Sequence, residues 1–226
     1  MDQRQRKARE IVLPDYTRGE EIFNMTSHIV GGGIGIACLV LCVVFGAIRR
    51  DAWSVVGGSI FGASLILLYT ISSVYHGLIP IKPKKVFRVL DHCTIYFLIA
   101  GTYTPVCLAG IRVQHPVKAW VLFGVVWGAA ALAITLTAID LKKFKVFSMI
   151  CYLAMGWGIV FFFSETAEAL GFRGMVFLVT GGVLYTLGTV FFGLGKKIRY
   201  MHSVFHLFVV AASLCHFFAV FFGLMI

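Results

Sequence analysis

Seven apolar stretches, each of a length that can cross a bilayer, constrain the fold of this 226-residue chain more than any other feature. The hydrocarbon core of a membrane is about 30 Å thick and an α-helix rises about 1.5 Å per residue, so about 20 apolar residues complete one crossing. No Lys, Arg, Asp or Glu lies well inside any of these stretches. They are residues 27–48, 52–79, 91–111, 118–139, 146–163, 174–194 and 202–226.

The composition excludes a soluble domain. Hydrophobic residues make up 59% of the chain and charged residues only 13%, whereas soluble domains carry about 25% charged residues. The mean hydropathy is +0.90. The net charge of +10 does not indicate a nucleic-acid partner, because the Lys and Arg residues lie in the N-terminal tail and in short loops. We therefore expect membrane lipids as partners and no nucleic acid, and the sequence indicates no particular protein partner.

The distribution of basic residues predicts the orientation. Fifteen of the 20 Lys and Arg residues fall in the tail and the even-numbered loops, and five fall on the opposite side. The positive-inside rule then places the N-terminus in the cytoplasm and, after seven crossings, the C-terminus outside. Residues 1–26 are polar and charged, without the apolar region of a signal peptide. The sequence thus predicts an all-α, seven-helix transmembrane bundle over residues 27–226, in the plasma membrane. A short cytoplasmic or interfacial segment, residues 1–26, precedes it, and within it we expect residues 2–18 to be interfacial or flexible.

Glycine pairs at a spacing of four residues predict close helix contacts, because small residues let helix backbones approach each other in lipid. The pairs are Gly31 and Gly35, Gly58 and Gly62, and Gly124 and Gly128. We interpret them as packing positions and not as sites of chemistry.

A few polar residues at the predicted cytoplasmic ends of the spans point to a metal site. His202 and His206 are four residues apart, so both imidazoles project from one helix face. Ser72 and His76 have the same spacing, and Asp91 opens the third apolar stretch. Three imidazoles from two helices would leave a fourth position open, as in catalytic zinc sites. The alternatives are histidines that cap helix ends and an Asp91 that serves as an N-cap.

Several separated segments, in the same order along the chain, resemble the hemolysin III family, the bacterial branch of the progestin and adiponectin receptor superfamily. Each segment alone is short and not specific, but the presence of all of them in one chain is specific. The resemblance covers essentially the entire chain, with seven helices. The matching segments are Glu21 to His28, Ser72 to His76, Asp91, and His202 to His206.

This resemblance implies a zinc ion near the cytoplasmic face of the bundle. It implies that His76, His202 and His206 are the ligands of the ion. Asp91 is similar to the carboxylate that contacts the metal-bound water, and Ser72 is similar to a nearby polar partner. Asp91 and Ser72 are therefore the candidate catalytic residues.

The first motif contributes three further positions. Glu21, Asn24 and His28 match it, and we expect them to support the ligands from outside or to fix the entry into the first helix. The superfamily includes ceramide-hydrolysing enzymes, so the resemblance implies lipid amide hydrolysis as a possible activity.

Two classes of function remain open from the sequence. The first is a zinc-dependent hydrolase of a lipid amide or ester, in which zinc activates a water and Asp91 takes up its proton. The second is a non-enzymatic protein with a structural zinc, either a regulator of membrane homeostasis or a cytolytic, pore-forming protein. A transporter is less favoured, because no charged residue lies in the middle of a span to form a relay.

Overall fold

The structure is a computed structural model that describes residues 11–226. Within this range the chain is helical and contains no strand. Residues 11–17 are extended, and the α-helices that follow are α1 (Arg18–Ile48), α2 (Ala52–Gly77), α3 (Ile81–Pro105), α4 (Pro116–Ile139), α5 (Lys145–Trp157), α6 (Phe163–Leu194) and α7 (Met201–Val220). The prediction of an all-α membrane protein is confirmed.

Local sequence explains where the first helices begin. The Thr17 hydroxyl accepts from the Glu20 backbone N–H, and the Glu20 carboxylate accepts from the Thr17 N–H at 2.8 Å, which is a complete capping box. Helix α2 begins after Asp51, whose carboxylate accepts from the backbone N–H groups of Trp53 and Ser54. Although burial raises the pKa of Asp51, the hydrogen bonds from Ser54 and Trp53 outweigh it and lower the pKa below its usual value.

Six stretches of the described chain are helical, long and apolar enough to cross a membrane, and one of them has twice the usual length. The fifth, residues 145–194, is 50 residues long. At about 1.5 Å per residue, a straight helix of this length would measure about 75 Å, far more than the thickness of a bilayer. This stretch contains both the fifth and the sixth predicted spans, so the count of seven crossings stays a prediction.

The 50-residue stretch is not straight. Gly171 interrupts α6 with a φ of 64° and a ψ of 177°, a conformation that glycine adopts without steric cost. On either side of Gly171 the chain folds back on itself. The Trp157 indole N–H donates to the Thr186 hydroxyl at 3.0 Å, and the side chain of Lys145 meets that of Lys196.

Helix α3 begins ten residues before the predicted span. Pro80 precedes its first turn, and Asp91 is the eleventh residue of the helix. The alternative that Asp91 is an N-cap is therefore wrong. The first ten residues escaped the hydropathy pattern because lysines and an arginine interrupt them. Helix α1 likewise begins at Arg18, nine residues before the predicted start at Ser27.

Two of the three glycine pairs lie at close helix contacts. A Cβ atom on Gly31 would meet the Tyr69 ring at 2.7 Å, and one on Gly62 would meet Leu39 at 2.5 Å, so α1 and α2 approach each other at these positions. The prediction for the third pair is wrong, since Gly124 and Gly128 in α4 have no neighbour within 4 Å of a Cβ position. The tight packing of α1 against α2 matters for function, because both helices carry site residues.

Candidate metal centre

Three buried histidines meet at one end of the bundle. His76 is the penultimate residue of α2, and His202 and His206 lie in the first two turns of α7. Their exposed fractions are 3%, 7% and 1%. One ring nitrogen from each lies within 4.8 Å of the others, and the Nε2 atoms of His202 and His206 are 3.1 Å apart. This group could hold a metal ion.

The hydrogen bonds of His76 suit a metal ligand. Its Nδ1 atom is 2.5 Å from the Glu21 carboxylate, which accepts a hydrogen bond from Nδ1–H and so favours the tautomer with the lone pair on Nε2. That Nε2 atom is buried and has no hydrogen-bond partner within residues 11–226. An imidazole nitrogen that is buried, unpartnered and oriented by a carboxylate has the arrangement of a metal ligand.

An outer layer of hydrogen bonds links the histidines to α1. The amide oxygen of Asn24 accepts from the Ser203 hydroxyl at 2.7 Å, and its nitrogen is 3.5 Å from Nδ1 of His76. Asn24 is fully buried. The Lys84 ammonium is 2.7 Å from the second oxygen of Glu21. Glu21 and Asn24 therefore both face the ligand group, and Ser203, between two of the histidines on α7, completes the layer.

His28 lies directly against the group without belonging to it. Its ring stacks on that of His206 with centroids 3.8 Å apart, and Tyr69 packs edge-on at 5.1 Å. His28 is 3% exposed, and neither of its ring nitrogens has a hydrogen-bond partner among the described residues. The stacked ring of His28 therefore covers the histidine group on the side of α1.

Asp91 and Ser72 are neighbours beside the same group. Ser72 lies one turn before His76 on α2 and is buried. The Asp91 carboxyl, on the facing α3, lies close to the Ser72 hydroxyl, to His76 and to the Arg88 guanidinium. Both predicted catalytic residues thus lie beside the predicted ligands, with the carboxyl outside the set of three nitrogens.

Tyr16 is a site residue that the sequence interpretation missed. Its ring stacks on His202 with centroids 4.9 Å apart and planes 16° apart, and it packs against His76 at 5.8 Å. The Arg88 guanidinium donates to the Val12 carbonyl and fastens this extended segment across α3. Burial raises the pKa of Tyr16 well above its usual value. The segment 2–18 was predicted to be interfacial or flexible. Tyr16 of this segment packs on the site, and the prediction for residues 2–10 lies outside the described range.

A signal for Tyr16 was present in the sequence. Tyr16 is the only aromatic residue before Phe23, in a tail that is otherwise mostly polar and charged. An isolated aromatic ring in such a tail gains free energy only if it is buried.

An apolar cavity of about 400 Å³ lies next to the histidines, between α3, α5, α6 and α7. Phe192 and Phe205 line it, and their ring centroids are 5.7 Å and 5.5 Å from that of His202. Its size is in the range of pockets that enclose small organic ligands. One layer of aromatic rings separates the cavity from the candidate metal centre.

The fold and the site define a class, a multi-pass helical membrane protein with a buried three-histidine group able to hold a metal ion. The model of the Haemolysin-III related family matches residues 16–217. The chain belongs to this family.

Relatives extend from bacteria to mammals. A Hemolysin-3 homolog of Bacillus subtilis (strain 168) is 36% identical over 207 residues, which cover 92% of this chain and 95% of the relative. Hemolysin-3 of Bacillus cereus is 36% identical over 203 residues, covering 90% and 91%. The human Monocyte to macrophage differentiation factor is 29% identical over 177 residues, covering 75% and 71%. No solved structure matches the chain.

Proposed function

We propose that this protein is an integral-membrane zinc hydrolase that cleaves an amide or ester bond of a membrane lipid. The observation that carries the proposal is the unpartnered, buried Nε2 atom of His76 beside two further imidazoles, a carboxyl group and an apolar cavity. A metal ion with a purely structural role would require neither the neighbouring Asp91 carboxyl nor the cavity.

The proposed topology has seven crossings in the plasma membrane, with the N-terminus in the cytoplasm. The contacts of Trp157 with Thr186 and of Lys145 with Lys196 support two antiparallel crossings that meet near Gly171. The excess of basic residues on the side of the histidines supports a cytoplasmic location of the site.

Zinc is the metal that this donor set favours. Three imidazoles form the usual protein ligand set of a catalytic zinc site, and Zn–N bonds are about 2.0–2.1 Å long. Two such nitrogens on one ion can be no more than about 4.2 Å apart, and the 3.1 Å between the Nε2 atoms of His202 and His206 meets that limit. When bound, zinc would supply a Lewis acid that polarises the scissile carbonyl and activates water.

Each protein group has a distinct task in this mechanism. Glu21 holds the His76 imidazole in the tautomer that leaves Nε2 free. Asp91 accepts the proton of the attacking water and returns it to the leaving group, and the neighbouring Ser72 hydroxyl orients the Asp91 carboxyl. The cavity holds the hydrocarbon part of the lipid and excludes water from it.

A non-enzymatic role with a structural zinc is the second candidate. The name of the Bacillus cereus relative, Hemolysin-3, favours it through the lytic effect which that name records. On this hypothesis the metal stabilises the bundle, and the Asp91 carboxyl has no part in turnover.

Metal analysis combined with a hydrolysis assay tests the two candidates. Detergent-purified protein is expected to contain about one zinc per chain by mass spectrometry, with loss of the metal in His202→Ala. Asp91→Asn is expected to retain zinc and to lose at least 100-fold in the rate of lipid amide or ester cleavage, the lower range for a general base. A zinc-loaded wild type that cleaves no lipid would refute the hydrolase and leave the structural role.

A further inference from the structure

Two ammonium groups converge at the rim of the apolar cavity. Lys145, the first residue of α5, lines the cavity, and the Lys196 ammonium lies over the ring of Phe192, another lining residue, at 5.6 Å from its centroid. The two lysine side chains are close enough to interact directly, although 50 residues separate them in the sequence. Arg88 joins them on the side of α3, one turn before His92, which also lines the cavity.

No carboxylate of the described chain neutralises the two lysines. Neither ammonium forms an ion pair with an Asp or Glu of residues 11–226. Asp140, the acidic residue nearest in sequence to Lys145, accepts from the backbone N–H of Lys143. Glu20 is held by the backbone N–H of Tyr200. Like charges in contact disfavour each other unless an anion lies between them.

The positive-inside rule explains basic residues on this side of the membrane, but it does not explain their convergence at a cavity mouth. Lysines that served only to set the membrane orientation of the chain would move apart in water, because their charges repel each other. These two meet beside a cavity whose lining is predominantly apolar, with Lys145 in the lining and Lys196 over the lining residue Phe192. A ligand that satisfies both parts has an anionic head and a hydrocarbon tail.

We propose that Lys145, Lys196 and Arg88 bind the phosphate of an anionic glycerophospholipid whose acyl chain lies in the cavity, and that this lipid is the substrate. The second half of the proposal rests on the proposed hydrolase function. Only the glycerol carbons separate the phosphate from the acyl esters, and the Phe192 ring centroid lies 5.6 Å from the Lys196 ammonium and 5.7 Å from the His202 ring centroid. A phosphate on the lysines therefore brings an ester bond towards the histidines.

Equilibrium binding tests the headgroup site independently of turnover. The zinc-loaded, full-length protein is titrated with phosphatidylglycerol and with phosphatidylcholine of the same acyl chains, and bound lipid is counted by native mass spectrometry. We expect the wild type to prefer phosphatidylglycerol. The Lys145→Gln/Lys196→Gln variant is expected to lose about 10- to 30-fold in affinity for it, since each basic residue at a membrane surface contributes about 1 kcal/mol or slightly less, which is about three- to fivefold.

The matched control is Lys142→Gln/Lys197→Gln, which removes the same charge from neighbouring positions that neither line the cavity nor contact the Phe192 ring. It is expected to change the affinity by less than twofold. An equal loss in both double variants, or no preference of the wild type for phosphatidylglycerol, would overturn the headgroup site. Competition by millimolar inorganic phosphate alone would assign the site to free phosphate and overturn the lipid assignment.

Hydrolysis of phosphatidylglycerol is measured on the same samples. Release of fatty acid by the wild type and its loss in Lys145→Gln/Lys196→Gln would support the substrate role. Selective binding without release, while another lipid amide or ester is cleaved, would overturn that role and leave the hydrolase intact. Selective binding with no cleavage of any lipid would refute the hydrolase and leave the headgroup site intact.

Discussion

The hydrogen bond between Glu21 and His76 offers a direct test of how the candidate metal centre is organised. The 2.5 Å contact places a carboxylate on Nδ1, which fixes the ring orientation and directs Nε2 towards the other two histidines. Removal of such a partner costs about 10- to 100-fold in metal affinity, equivalent to about 1.4–2.8 kcal/mol. We expect Glu21→Gln to lose about tenfold in zinc affinity, because an amide oxygen still accepts the hydrogen bond, and Glu21→Ala to approach 100-fold.

The assay is a competition for zinc between detergent-purified protein and a fluorescent chelator of known affinity. Glu20→Gln is the matched control, since Glu20 is the adjacent carboxylate and binds the backbone N–H of Tyr200 at 2.7 Å instead of a histidine. It is expected to keep the zinc affinity within about twofold. If Glu21→Ala also stays within twofold while His202→Ala abolishes binding, the carboxylate does not organise the ligand and the reasoning fails.

Three further predictions concern stability, each read from the thermal unfolding of detergent-purified protein. Tyr16→Ala is expected to lower the melting temperature while Tyr16→Phe preserves it, because the stacked ring and not the hydroxyl makes the contact; equal effects would contradict this. Gly31→Ala is expected to destabilise by about 1–3 kcal/mol through overlap with Tyr69, whereas Gly33→Ala, with open space around it, is neutral or stabilising. Asp51→Ala is expected to cost about 1 kcal/mol as a lost N-cap. Because the pKa of Asp51 is lowered in the folded protein, the loss of stability in Asp51→Ala is fully present above about pH 4. It disappears as the pH falls through the pKa of Asp51 in the folded protein. A loss of stability that does not depend on pH would refute this prediction.

The membrane character was readable from the sequence because it depends on runs of apolar residues, which need no tertiary information. The pairing of His202 with His206 was readable for a similar reason, since a spacing of four residues places two side chains on one helix face. The approach of His76 on α2 to this pair is different. It depends on packing between distant helices. The common position of these histidines at one end of the predicted spans indicated it, and the resemblance to a known family specified the three as ligands.

The wrong N-cap alternative for Asp91 and the helical continuity of residues 145–194 both show what hydropathy detects. Hydropathy detects the apolar part of a helix, and the lysine-rich first turns of α3 are helical but not apolar. It also treats a polar gap as a loop, whereas the residues around Gly171 remain largely helical through the turn. Tyr16 was missed because a single aromatic residue has no periodicity that could place it.

The candidate metal centre draws its ligands from α2 and α7, and α1 braces them through Glu21 and Asn24. During synthesis, α7 is the last helix to emerge, so the ligand set is incomplete until nearly the whole chain has entered the membrane. On the proposed function, the chain can hold its metal only after α7 has packed against α2. A chain that stalls before residue 202 contains only His76 of the three candidate ligands. Such an intermediate cannot bind the ion stably.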